Sequence, residues 1–88
     1  MIKEELVISN ELGIHARVVS RIVNEARKFS CLITAKKAKG SFDLKSIKDV
    51  AIMGGKYAET VVVEFCGDDE AEAANALKIL FEDKFEEK

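Results

Sequence analysis

The chain has a single histidine, His15, set in Gly13-Ile14-His15-Ala16-Arg17. An unprotonated imidazole nitrogen is a nucleophile that can carry a group through a covalent intermediate. Apolar residues at helical spacing begin immediately after it, which places the ring at the mouth of a helix. There the first backbone N–H groups have no intrahelical acceptor, and the positive end of the helix dipole faces outward. Both features suit an anion, and a phosphoryl group is the obvious one. Arg17 would add a planar fork of donors for phosphate oxygens, and Gly13 allows the tight turn that leaves the ring in the open. The same spacing also fits a histidine that merely caps the helix or packs in a satisfied pocket. The residues alone do not choose between these readings. Metal ligation is the poorest of the three, because no second histidine or carboxylate cluster lies near in sequence.

A second candidate is Lys45-Ser46-Ile47. Serine is among the best N-caps, and Asp49, three residues on, completes an imperfect capping box. A phosphate on that hydroxyl would bring roughly −1.5 to −2 charge, favourable at a helix start, although Asp49 would oppose it. Cap and modification site therefore both stand. Cys31 and Cys66 have no close pairing and no CxxC motif, so they read as reduced packing residues of a reducing compartment.

The elements that must position these residues follow from periodicity. Ile2, Leu6 and Ile8 share one parity against Lys3, Glu5 and Ser9, a half-buried strand, and Asn10 to Gly13 break it as a loop. Ala16, Val19, Ile22, Val23 and Ala26 form the stripe of a one-sided helix. Cys31, Ile33 and Ala35 alternate as a second strand. Lys39-Gly40 reads as a turn into a short return strand over 41–43, because glycine tolerates positive φ. Ser46 to Met53 reads as a short helix ended by Gly54-Gly55, and Val61, Val63 and Phe65 mark a strand over 60–65. Gly67 to Asp69 stop that strand, with Asp69 and Glu72 as a helix-opening pair. Ala73, Ala74, Leu77, Leu80 and Phe81 then stripe a last helix. The order β-α-β-β-α-β-α predicts an α+β open-faced β-sandwich, a four-stranded antiparallel sheet with three helices on one face.

With 88 residues the chain reads as one domain spanning 1–88. A net charge of −2 gives no general basis for binding nucleic acid or an anionic membrane. No apolar run approaches the roughly 20 residues a membrane helix needs, and no leader-like segment opens the chain, so a cytoplasmic location is expected. No metal or cofactor is expected either.

The stretches GIHARVVSRIVNEARKF, LKSI and GDDEAEAANAL together resemble the HPr family, the histidine-containing phosphocarriers of the bacterial sugar phosphotransferase system. The resemblance spans essentially the whole chain, and its specific parts are G-I-H-A-R at 13–17 and K-S-I at 45–47. It implies the same open-faced sandwich. It also implies that His15 accepts a phosphoryl group at Nδ1 from phosphorylated enzyme I, whose donor is phosphoenolpyruvate, and passes it to an enzyme IIA component. Arg17 and the N–H groups of Ala16, Arg17 and Val18 would steady the phosphate. Ser46 would be the target of an HPr kinase/phosphorylase, its phosphorylation hindering enzyme I and favouring a transcriptional regulator. Ser20, Ile47, Lys48 and Ala51 would meet the partners, and a carrier that docks on two proteins in turn is best served as a monomer.

The chain departs from the family pattern in places. Val18 stands where the family usually has proline, which restores an N–H beside the phosphate. The short helix reads Ser46-Ile47-Lys48-Asp49-Val50-Ala51 instead of the more apolar S-I-M-G-V-M, a change that bears on partner choice more than on chemistry. Lys39-Gly40 replaces the usual Asn-Gly turn. Two alternatives remain: a regulatory binding module controlled by phosphorylation of Ser46, and a regulatory phosphocarrier of the nitrogen-related branch, to which LFEDKFEEK is similar. A nucleic-acid-binding domain is a poor reading, because there is no basic stripe and Phe42 and Phe65 are isolated in their strands.

Overall fold

In a computed structural model, which describes residues 1–86, the chain forms seven regular elements and a terminal turn. They are β1 (Ile2–Val7), α1 (Ala16–Ala26), β2 (Leu32–Lys37), β3 (Gly40–Asp43), α2 (Ile47–Met53), β4 (Thr60–Cys66) and α3 (Glu70–Glu82), followed by a turn at Lys84–Glu86. The strands make one antiparallel sheet in the order β1-β4-β2-β3. The fold is the α+β open-faced sandwich expected from the periodicity.

Register explains why one face is dry. Leu6 lies opposite Val61, Ile33 opposite Phe65, and Ala35 opposite both Val63 and Phe42. All seven are buried, as period-two alternation demands. The alternate residues face outward, where Lys3 and Glu64 pair across the register at 3.7 Å.

Helix α3 buries the five residues its stripe predicted, Ala73, Ala74, Leu77, Leu80 and Phe81. Helix α1 differs in one place. Its buried set is Val18, Val19, Ile22, Val23 and Ala26, while Ala16 is exposed. By spacing Ala16 belongs to the Val19–Val23 edge of the stripe, but as the first residue of the helix it stands at the open mouth and stays exposed.

Three further expectations need correction. The hairpin turn is Ala38-Lys39, since Lys37 pairs with Gly40; Gly40 opens β3 and takes the unusual backbone, φ +144°. Asp69 sits at the N-cap of α3 but does not cap it. Its carboxylate instead accepts the N–H groups of Ser30 at 2.8 Å and Cys31 at 2.9 Å, tying α3 to the turn before β2. Those donors hold the Asp69 carboxyl below the usual carboxylate range, Ser30 foremost. Cys66 is exposed and so does not pack; Cys31 does, and burial, with Asp69 beside it, pushes its thiol up to about 11. Among the described residues, no helix is long and apolar enough to cross a membrane.

The tail held a core residue that periodicity missed. Phe85 is fully buried, its ring 4.6 Å from that of Phe81 between centroids, edge to face. The chain reaches it through Lys84, Phe85 and Glu86, all at positive φ.

Candidate functional site

The loop before α1 is folded on itself and then clamped. Buried Asn10 donates its side-chain N–H to the Gly13 carbonyl at 2.7 Å, and the Gly13 N–H returns to the Asn10 carbonyl at 3.1 Å. Gly13 has φ +71°, and a Cβ there would lie 2.4 Å from the Gly55 carbonyl oxygen. That same oxygen accepts the Ile14 N–H at 3.0 Å. A Cβ at Gly55 would in turn meet Ile8 Cδ1 at 2.4 Å. Gly13 thus lets two backbone segments touch, and Gly55 leaves room for the Ile8 side chain.

The clamp sets His15 at the N-cap of α1 in extended conformation, φ −134° and ψ −179°. Its carbonyl accepts the Val19 N–H at 2.8 Å, but its imidazole makes no capping hydrogen bond. Capping, one of the open readings, is therefore not what the ring does. His15 is half-buried, Ala16 and Arg17 are exposed, and no acidic residue lies in the first helical turn. The helix mouth keeps its positive character, with the Ala16 and Val18 N–H groups in the turn that no carbonyl of the same helix can serve. Val18 carries its N–H there while its side chain is wholly buried.

The segment carrying Gly55 is itself anchored. Ile8 donates to the Glu59 carbonyl at 2.9 Å and accepts from the Ala58 N–H at 2.7 Å. The Glu59 carboxylate pairs with Lys37 at 2.8 Å and accepts the Lys56 N–H at 3.0 Å. Lys37, then the Lys56 N–H, hold the Glu59 carboxyl below its ordinary range. Lys37 also donates to the Met53 and Gly54 carbonyls, each at 3.4 Å, at the C-terminal end of α2. Sequence reasoning missed Asn10, Lys37, Gly55 and Glu59. The Gly54-Gly55 pair was read only as a helix stop, and nothing local links it to Gly13.

Ser46 is the N-cap of α2, and its hydroxyl oxygen accepts the Asp49 N–H at 3.1 Å. The Asp49 carboxylate goes to the Asp43 N–H at 3.0 Å, so the capping box is one-sided. Helices α1 and α2 pack against each other. Ile14, before α1, bonds Gly55, after α2, and the Arg27 side chain, after α1, donates to the Lys45 carbonyl at 2.9 Å, before α2. The helices therefore run antiparallel, with His15 and Ser46 at opposite ends, roughly 15 Å apart by helix rise. Ser20 on α1 and Ile47, Lys48 and Ala51 on α2 are exposed. Leu12, Ile52 and Tyr57 are exposed large apolar residues on the segments around them, which sequence reasoning had not singled out.

A family model described as the HPr component phosphorylation site of the phosphotransferase system matches residues 2–83. The phosphocarrier protein HPr of Xylella fastidiosa is 33% identical over 87 residues, covering 99% of this chain and 98% of its own. That of Mycoplasma pneumoniae is 35% identical over 85 residues, with 93% and 94% covered. The crystal structure of HPr from Thermoanaerobacter tengcongensis superposes with a TM-score of 0.93 at 36% identity, over 100% of this chain and 99% of that one. A matching profile, full-length relatives and a shared sheet with its helices lead to one conclusion: the chain belongs to the HPr family of phosphotransferase-system phosphocarriers.

Proposed function

We propose that this protein takes a phosphoryl group on His15 from phosphorylated enzyme I and hands it to an enzyme IIA component. The observation that carries the reading is the placement of His15. It is an N-cap whose side chain does not cap, seated by the Asn10–Gly13–Gly55 clamp at a helix mouth without acidic residues. Nδ1 attacks phosphorus on the donor's phosphohistidine. One N–P bond forms as the other breaks, and the departing imidazole recovers its lone pair. Arg17 and the N–H groups of Ala16, Arg17 and Val18 hold the oxygens, and Ser20, Ile47, Lys48 and Ala51 meet the partners. The protein works as a monomeric single domain in the cytoplasm. Incubation with enzyme I and phosphate-labelled phosphoenolpyruvate is expected to give an acid-labile, base-stable label on wild type and none on His15→Ala. Equal labelling of that variant would overturn the assignment.

A second reading, regulation through phosphorylation of Ser46 by an HPr kinase/phosphorylase, is favoured by one observation. Ser46 borders exposed Ile47 and Lys48 at the end of α2 remote from His15, so a phosphate there acts on docking and not on chemistry. Modification of Ser46 without transfer from enzyme I would make the protein a regulatory binding module. Enzyme IIA partners taken from sugar permeases or from the nitrogen-related branch, offered side by side, decide which branch it serves.

A further inference from the structure

A groove of about 420 Å³ runs between α1 and α3, away from the phosphoryl site. Its floor is apolar: Phe29, Leu80 and Ile79, the last 55% exposed although it is a large aliphatic side chain. Its rim is acidic, formed by Glu25 from α1, Glu72 on α3, and Asp83 and Glu86 after it. The nearby cations lie on the α1 side of that rim: Lys28 pairs with Glu25 at 3.0 Å, and Arg21, which donates to the Phe85 carbonyl at 2.6 Å, lines an adjoining cavity with Lys28, Glu25 and Glu86. Glu72 and Asp83 form the α3 side. Along α3 the positions 72, 79 and 83 share one face, so the groove follows the helix for roughly 16 Å, or three turns.

We propose that this groove docks a basic amphipathic helix belonging to a protein partner, with an apolar residue on Ile79 and Phe29 and Lys or Arg against Glu72 and Asp83. An acidic rim repels anionic lipid and nucleic acid. The carboxylates are spread along three turns and do not converge on one point, which suits a line of cations and not a single metal ion. A facing helix with apolar anchors at i, i+3 or i+4 and i+7 matches the floor, and its basic flank matches the rim. Glu25 lies nine residues beyond Ala16, roughly 13 Å along α1, so an occupied groove leaves His15 open. The protein could then be tethered to a basic partner while its phosphoryl group moves elsewhere. This goes beyond the phosphocarrier reading and does not rest on it.

The test titrates the isotopically labelled protein with a synthetic amphipathic peptide of about 14 residues, leucine on one face and lysine on the other. A scrambled peptide of equal composition and a glutamate-for-lysine peptide serve as controls. Amide shifts are expected at Phe29, Glu72, Ile79, Leu80 and Asp83, weakening as salt is raised, with neither control binding. Ile79→Lys and the double variant Glu72→Lys, Asp83→Lys each lower affinity at least tenfold, while labelling of His15 by enzyme I stays at the wild-type rate. Three results would overturn the proposal. They are shifts elsewhere on the molecule, equal binding of the scrambled peptide, and concentration-dependent shifts at the same residues without peptide, which assign the groove to a second copy of the chain.

Discussion

Gly13 lies so close to the Gly55 carbonyl that it tolerates no side chain, a Cβ at Gly55 would press on the Ile8 and Ile14 side chains, and Asn10 closes the turn from within. His15 has its direction from these residues, none of which is expected to touch phosphate. Replacing Asn10 by alanine leaves the Gly13 carbonyl without its 2.7 Å donor in a buried turn, a loss of about 1–3 kcal/mol. The expected outcome for Asn10→Ala is a lower urea midpoint together with slower uptake of phosphate from enzyme I. Wild-type uptake in the destabilised variant would reduce Asn10 to a structural residue. Val18 is the other residue to probe. Its N–H lies in the first helical turn, where no intrahelical bond is lost, and its side chain needs only an apolar replacement. Val18→Pro is expected to fold with a stability change within about 1 kcal/mol, read by urea denaturation. Any change in transfer rate then reports the lost N–H together with the stiffer backbone at Arg17 and position 18. At this scale the sequence offered His15 as the candidate for phosphoryl transfer but not the residues that hold it in place. G-I-H-A-R carries its chemistry in residue types, whereas Asn10 matters through a turn that only the folded loop closes, and Gly55 through contacts with a segment more than forty positions away.

At the scale of elements, the strands and helices were legible because their periods are strong, two for β4 and 3.6 for α3, and each apolar set lands on one face. Connections were less so, and Asp69 shows why. An aspartate before a helix reads as a cap, yet the Ser30 and Cys31 N–H groups compete for it and win. That choice has a pH consequence. Asp69 and Glu59 are held below the usual carboxylate range by backbone N–H donors and, for Glu59, foremost by Lys37. Glu70 is held down as well, by the Gly67 N–H and the terminal ammonium. A depressed folded-state value means the unfolded chain takes up protons first on acidification. The stabilisation is therefore complete above the ordinary carboxylate range, about pH 4, and is lost as pH falls through the lower folded values. Urea midpoints measured from neutral pH downward are expected to drop on that acid side. Asp69→Asn should start lower at neutral pH and show a shallower acid decline, and an unchanged decline would mean Asp69 contributes nothing to it.

Considered as a whole, the molecule leaves one sheet face bare and closes the other with three helices and a chain end. The C-terminal turn was not legible, because Phe85 follows Leu77 and Phe81 at helical spacing, yet α3 ends at Glu82 and the chain reaches Phe85 only by reversing the backbone hand. Lys84, Phe85 and Glu86 have φ of 55°, 55° and 64°, and none is glycine. Left-handed backbone costs roughly 1–2 kcal/mol per such residue, so something must outweigh it. Three contacts are available: the buried Phe85 ring against Phe81, the Arg21 hydrogen bond to the Phe85 carbonyl, and the Ser9 hydroxyl donating to the Phe81 carbonyl. Burial is the largest of these, since truncating a buried phenylalanine costs about 3–5 kcal/mol. Two substitutions in adjacent positions should therefore act in opposite directions. Phe85→Ala is expected to lower stability by several kcal/mol, because the cavity opens while the strain stays. Lys84→Gly, exposed and at φ 55°, should be neutral or stabilising by up to about 1 kcal/mol, because glycine adopts that backbone without penalty. Urea denaturation of both variants decides the matter. A Phe85→Ala protein as stable as wild type would show that the tail rests on the surface and does not close the core.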